Sequence, residues 1–117
     1  MSAYRQGPPF YSIPGTTAPS FSSTLGSTSQ GYALEASTLG RLWQGPTNRS
    51  VRLATIGSSG CYWVAFGTST IQVGGATDGI LILGGTVESF GLDPGQSWLA
   101  IASSTSVSVN ITPGYGS

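Results

Sequence analysis

At 117 residues the chain is long enough for one domain and too short for two. Apolar residues make up 38% of it and charged residues only 7%, against roughly 25% in an ordinary soluble domain, so Ser, Thr, Gly, Asn and Gln must carry its solubility. Four Arg balance four acids, and Lys and His are absent, which removes the pull toward nucleic acid or anionic lipid and the commonest general base and metal ligand.

Cys61 is the single cysteine, so no internal disulfide and no thiolate cluster is expected. Residues 1–9 (MSAYRQGPP) lack the apolar stretch of a secretion signal, and nowhere do roughly 18 apolar residues run together. The expectation is a protein made in a cytoplasm, with no membrane partner and no nucleic-acid partner.

Residues 1–48 read as an extended N-terminal arm followed by a transitional segment. Pro8, Pro9, Pro14 and Pro19 interrupt backbone pairing, and Tyr4, Phe10, Tyr11, Ile13, Phe21 and Leu25 recur with no period, so residues 1–31 are expected to form no regular element. A disordered tail and an arm that orders on a neighbouring subunit both fit. Ordering costs about 1–2 kcal/mol per residue, and the aromatic side chains, unusual in a linker, favour the arm. Tyr4, Phe10, Tyr11, Ile13 and Phe21, together with Tyr115 near the C-terminus, are therefore the candidate partner-binding residues. Within 32–47, either a first strand over 32–37 or a helical turn over 34–42 is compatible, and Pro46 ends both.

From Arg49 onward the pattern is β, and residues 49–117 are expected to form one β-sandwich domain with a short C-terminal tail. Strands are predicted at 51–56, 61–66, 70–73, 80–83, 86–92, 96–102 and 106–112, separated by glycine-rich turns. Ile80–Leu83 is a continuous apolar run, as for a strand covered on both faces. Gly84-Gly85 signals a hairpin, Asp93-Pro94-Gly95 a type II turn, and Ser103-Ser104-Thr105 a last hairpin. The fold class is all-β, a small antiparallel β-sandwich or jelly-roll-like module of seven or eight strands. Such a unit buries about 60% of its unfolded surface, so association is expected to support it.

The carboxylates are Glu35, Asp78, Glu88 and Asp93. Asp93 and Asp78 belong to turns, and Glu88 is expected on a solvent face or beside an Arg. A hydrolytic pair of Glu88 with Asp78 is the weaker alternative. The many hydroxyls have no His or Lys to activate them, and Cys61 in the run CYWVAF reads as core. Val73–Gly79 lacks the Lys and helix of a phosphate loop. No catalytic residue, cofactor or metal site is expected. Asn48-Arg49-Ser50 and Asn110-Ile111-Thr112 are chance sequons in this setting. Trp43, Trp98 and Tyr115 are candidates for glycan contact, although packing is the expected role of the tryptophans.

The stretch from Ser50 to Tyr115 resembles short virion proteins of tailed bacteriophages. A strand such as Val51–Thr55 precedes a Cys-aromatic strand, Cys61–Phe66, ending in Phe-Gly. A hairpin with Val87–Phe90, the Asp93-Pro94-Gly95 turn, the Trp98 strand and a valine-rich strand ending in Thr112-Pro113-Gly114-Tyr115 follow. The resemblance implies a non-enzymatic structural protein, foremost a capsid decoration (cement) protein on the capsid exterior. Its expected partners are the major capsid protein and further copies of itself, as a dimer or trimer. The alternative is a tail fibre, spike or head–tail component that binds a receptor or glycan.

Overall fold

The computed structural model describes residues 10–44, 48–57, 60–68, 71–73 and 78–116. Nine strands form two antiparallel sheets packed face to face. They are β1 (Tyr11–Ser12), β2 (Phe21–Leu25), β3 (Gln30–Ala33), β4 (Arg49–Thr55), β5 (Tyr62–Gly67), β6 (Ile80–Ile82), β7 (Val87–Gly91), β8 (Trp98–Ala102) and β9 (Val107–Tyr115). The first sheet runs β2-β9-β4-β7, with β1 beside β2 along β9, and the second runs β3-β8-β5-β6.

The pairs β2·β9, β3·β8, β4·β7 and β5·β6 nest inside one another. The chain is thus one long hairpin, four strands out and four back, and rolling it up adds the contacts β4·β9 and β5·β8. This winding is a jelly roll. It corrects two expected hairpins, because β6 and β7, and likewise β8 and β9, lie in different sheets. The Gly84-Gly85 and 103–105 turns instead carry the chain across the sandwich. Period-2 alternation shows which residues face inward but not which sheet they join. The Asp93–Gln96 turn does form as read, with the Gln96 N–H donating to the Asp93 carbonyl at 3.0 Å and Gly95 at φ +92°.

The N-terminal expectation is corrected from residue 10 onward. β2 pairs with β9 along its whole length, Phe21 opposite Ile111 through Leu25 opposite Val107, and β1 continues that edge opposite Gly114 and Tyr115. Ile13 and Leu25, each 2% exposed, belong to the main core, so the boundary expected at residue 48 separates nothing. Pro8 and Pro9 lie outside the described residues, and Pro14 and Pro19 are harmless because they lie in the connection between β1 and β2. Pro113 is equally well placed within β9. Its ring nitrogen faces the gap where β2 ends, opposite Ile111, and β1 begins, opposite Gly114, so no ladder hydrogen bond is lost. That is why β9 extends past the expected stop at Thr112.

Val51, Leu53, Val107, Val109 and Ile111 of one sheet interdigitate with Tyr62, Val64, Leu99 and Ile101 of the other, all essentially buried. Each fully buried aliphatic side chain contributes about 1.5–3 kcal/mol relative to exposure. A second, smaller cluster lies on the outer face of the β3-β8-β5-β6 sheet, where Ala100 and Ala102 meet Trp63, Ala65, Ile71 and Val73. The segment 71–73, expected as part of a strand, folds back over this face instead. The Val73 N–H donates to Ser29 Oγ at 3.0 Å and pins it there.

Between β3 and β4 the chain makes a single 3-10 turn at Ser37–Leu39, and β3 covers only the first part of the strand considered at 32–37. Arg41 is buried here with no carboxylate partner among the described residues. Its Nε donates to the Leu34 carbonyl at 3.1 Å, Nη1 donates to the Ala18 carbonyl at 2.8 Å, and its guanidinium lies 4.9 Å from the Phe21 ring centre. Desolvation lowers its pKa. Arg49 lies over Trp43 and Arg52 over Phe10, so every arginine among the described residues packs on an aromatic ring.

Tyr62 carries a cost that a test can expose. Its side chain is fully buried and its hydroxyl has no hydrogen-bond partner among the described residues. Burial, with a smaller contribution from Glu88, pushes its pKa from 10.0 up to about 12. The neutral phenol is therefore favoured in the folded state. Its contribution is fully present below pH 10 and disappears as pH rises toward about 12. Urea unfolding across that range should show a Tyr62-dependent loss of about 1.4 kcal/mol per pH unit, which Tyr62→Phe removes. Equal slopes in the two proteins would contradict this assignment.

Candidate interaction site

The sandwich has two open sides, and the chain treats them differently. On the side of β2 and β3, polar side chains close the edge. Tyr32 Oη donates to Gln30 Oε1 and is hydrogen-bonded to Ser23, while Gln30 Nε2 donates to the Thr24 carbonyl at 3.0 Å. That carbonyl belongs to an edge strand and is thereby capped.

On the opposite side, β6 and β7 lie at the ends of their sheets, and among the described residues each pairs with one neighbour. Ile82 alone of the β6 strand is buried, whereas Leu81 is 53% and Leu83, just beyond it, 60% exposed. The apolar run at 80–83 is therefore an edge, not a strand covered on both faces as expected. Val87 on β7 is 62% exposed. Between the strands lies a groove of about 290 Å³ lined by Ile80, Leu81, Ile82, Leu83, Thr86, Glu88 and Phe90. Its inner wall is firm, since the Phe66 and Phe90 rings meet at 5.3 Å between the two sheets.

Backbone direction on β7 follows from the ladder. The Leu92 N–H donates to the Arg49 carbonyl at 2.8 Å, so Phe90 and Glu88 also turn their backbone groups toward β4. Val87, Ser89 and Gly91 consequently aim theirs outward, where no strand among the described residues receives them. Edge strands are ordinarily guarded by lysine, proline, bulges or a covering loop. Here the one charged side chain on the strand is Glu88.

The expected partner-binding residues scatter. Tyr4 lies outside the described residues. Ile13 is core, and Phe21 is half-buried against Tyr32 and Arg41. Tyr115 is buried, accepts the Gln44 N–H at its hydroxyl and meets the Tyr11 ring at 5.3 Å. Tyr11 itself is 55% exposed. It borders two shallow grooves, one of about 250 Å³ with Phe10, Arg52, Asn110 and Thr112, the other of about 320 Å³ with Pro14, Gln44, Asn48 and Tyr115. Phe10, Tyr11 and Tyr115 thus do come together, as part of the folded body.

Trp43 and Trp98 serve packing. Trp43 is buried and donates its Nε1–H to the Gly114 carbonyl, and the Trp98 indole covers Gly31, where any side chain would collide with it. Glu35 accepts the Trp43 backbone N–H at 2.9 Å. Glu88 is exposed on β7, as expected for a solvent-facing position. Cys61 is half-buried just ahead of β5, outside both core clusters, and its carbonyl accepts Ser103 Oγ–H at 2.6 Å, which corrects its expected core position. Among the described residues no group of three or more His, Cys, Asp or Glu could hold a metal, and no helix is long and apolar enough to cross a membrane.

Compared with protein-family models, with curated proteins and with solved structures, the chain matches none of them. The reading of function therefore rests on the residues and the fold.

Proposed function

We propose that this chain is a structural building block of a virion, of the capsid decoration type, which acts by being mounted among other protein subunits and not by catalysis. The observation that carries the reading is the bare β6–β7 side. Unpaired backbone and exposed aliphatic side chains along two strands suit a surface that neighbouring subunits cover. The near absence of charge supports the same reading, since such contacts form through apolar packing and backbone hydrogen bonds. Placement on a capsid comes from the resemblance carried by residues 50–115. The jelly-roll winding is compatible with it, although fold alone does not assign function.

The mechanism is mass action. A protein that binds only the assembled shell stabilises it by RT ln(1 + [L]/Kd) at each site, about 2.7 kcal/mol when free protein exceeds Kd a hundredfold. Repeated over a lattice, this opposes the pressure of packaged DNA. Purified protein should co-sediment with empty shells in a saturable manner, at many copies per particle, and raise their melting temperature. Failure to bind shells would remove the reading. A second reading, glycan or receptor binding at the tail, is favoured by exposed Tyr11 beside Gln44 and Asn48, and a few copies confined to purified tails would select it.

A further inference from the structure

We propose that the neighbour covering β7 is a second copy of this chain, paired antiparallel across a two-fold axis at Ser89, so that the two larger sheets become one. The inference rests on the assembly reading above and names the partner at that edge.

The strand is complementary to itself in one register. Val87, Ser89 and Gly91 are the residues whose N–H and C=O groups face outward. A two-fold axis at Ser89 places Val87 opposite Gly91 of the second copy, Ser89 opposite Ser89, and Gly91 opposite Val87. Every outward group then has a partner, each opposed pair exchanging both of its hydrogen bonds. Shifting the axis toward Glu88 sets two carboxylates directly opposite and leaves Gly91 unpaired, and like charges in that position are unfavourable. Shifting it toward Phe90 leaves Val87 unpaired.

Side chains agree with the same register. Space beside Gly91 is open, with no atom within 4 Å of where a Cβ would stand, and the exposed Val87 of the second copy would occupy it. Glu88 faces Phe90 across the seam and not its own equivalent. The strand carries no basic residue, so it offers nothing specific to an acidic partner. The chain has no net charge, and two copies therefore approach without repulsion. A strand laid along β7 also borders the apolar groove beside β6. An isologous contact of this kind closes at two subunits.

Sedimentation of the full chain should give twice the monomer mass. Ser89→Pro removes an outward N–H while leaving the β4 ladder intact, so this variant should sediment as a monomer with an unchanged far-UV spectrum. Should Ser89→Pro fail to fold, Val87→Lys guards the same edge without touching the backbone and should give the same monomer. In a Cys61→Ser background, Ser89→Cys should form a covalent dimer with a short bismaleimide, whereas Val87→Cys alone should not, since its opposite number is Gly91. A monomeric wild-type chain, a trimer, or a dimer indifferent to both edge variants and to the position of the cysteine would overturn the proposal. A monomer that still decorates shells would end this inference and leave the assembly reading standing. A dimer that ignores shells would do the reverse.

Discussion

Deleting residues 10–31 should leave a chain that does not fold. The truncated protein should lack the far-UV signal of the intact sandwich and show no cooperative urea transition. β9 would lose its β2 partner along Val107–Ile111, and the buried apolar side chains of Ile13 and Leu25 would leave the core. Losing a buried Leu or Ile side chain costs about 2–5 kcal/mol, and small domains have only about 5–15 kcal/mol in total. The exposed flank of β9 adds unpaired backbone to that deficit. An arm that ordered only on a neighbour would behave in the opposite way, since its removal would leave the sandwich intact and cost only binding. A cooperative transition at an unchanged urea midpoint would therefore restore the arm and contradict the packing described here.

Trp43→Ala should destabilise the protein by about 3–5 kcal/mol, the range for removing a large buried aromatic. The indole lies in the connection between β3 and β4, yet it is only 5% exposed and belongs to the main core. It also joins three parts of the chain. Its backbone N–H donates to Glu35, its ring N–H donates to the Gly114 carbonyl, and Arg49 lies 5.4 Å from its ring centre. Trp43→Phe keeps much of the volume but leaves the Gly114 carbonyl without that donor, so it should cost less than the alanine variant but more than nothing. Chemical denaturation of the three proteins gives the order directly. A Trp43→Ala loss within about 0.5 kcal/mol, the typical range of surface substitutions, would mean that this connection does not seal the core.

The candidate interaction surface is only partly legible in the sequence. Tyr11 and Tyr115 stand out by their aromatic character in a polar chain, and in the fold their rings meet. The edge formed by Val87, Ser89 and Gly91 does not stand out, because nothing in the alternation of residues 86–92 distinguishes a strand with one neighbour from a strand with two. A weak signal lies at 80–83. A four-residue apolar run between Asp78-Gly79 and Gly84-Gly85 is short for a central strand, and its length was a better guide than its hydrophobicity.

The residue order alone specified the all-β class, most strand positions after Arg49 and the turn at Asp93–Gln96. All of these follow from local rules, namely side chains alternating every second residue and glycine or proline at tight turns. Which sheet each strand joins, whether a proline breaks a strand or slips into a gap, and whether residues 10–31 stand apart or complete the body were decided only on folding. Those outcomes depend on pairing between residues far apart in the chain, such as Phe21 with Ile111. No local pattern encodes them, because the hydrogen-bonding partner of a β-strand lies outside its own segment.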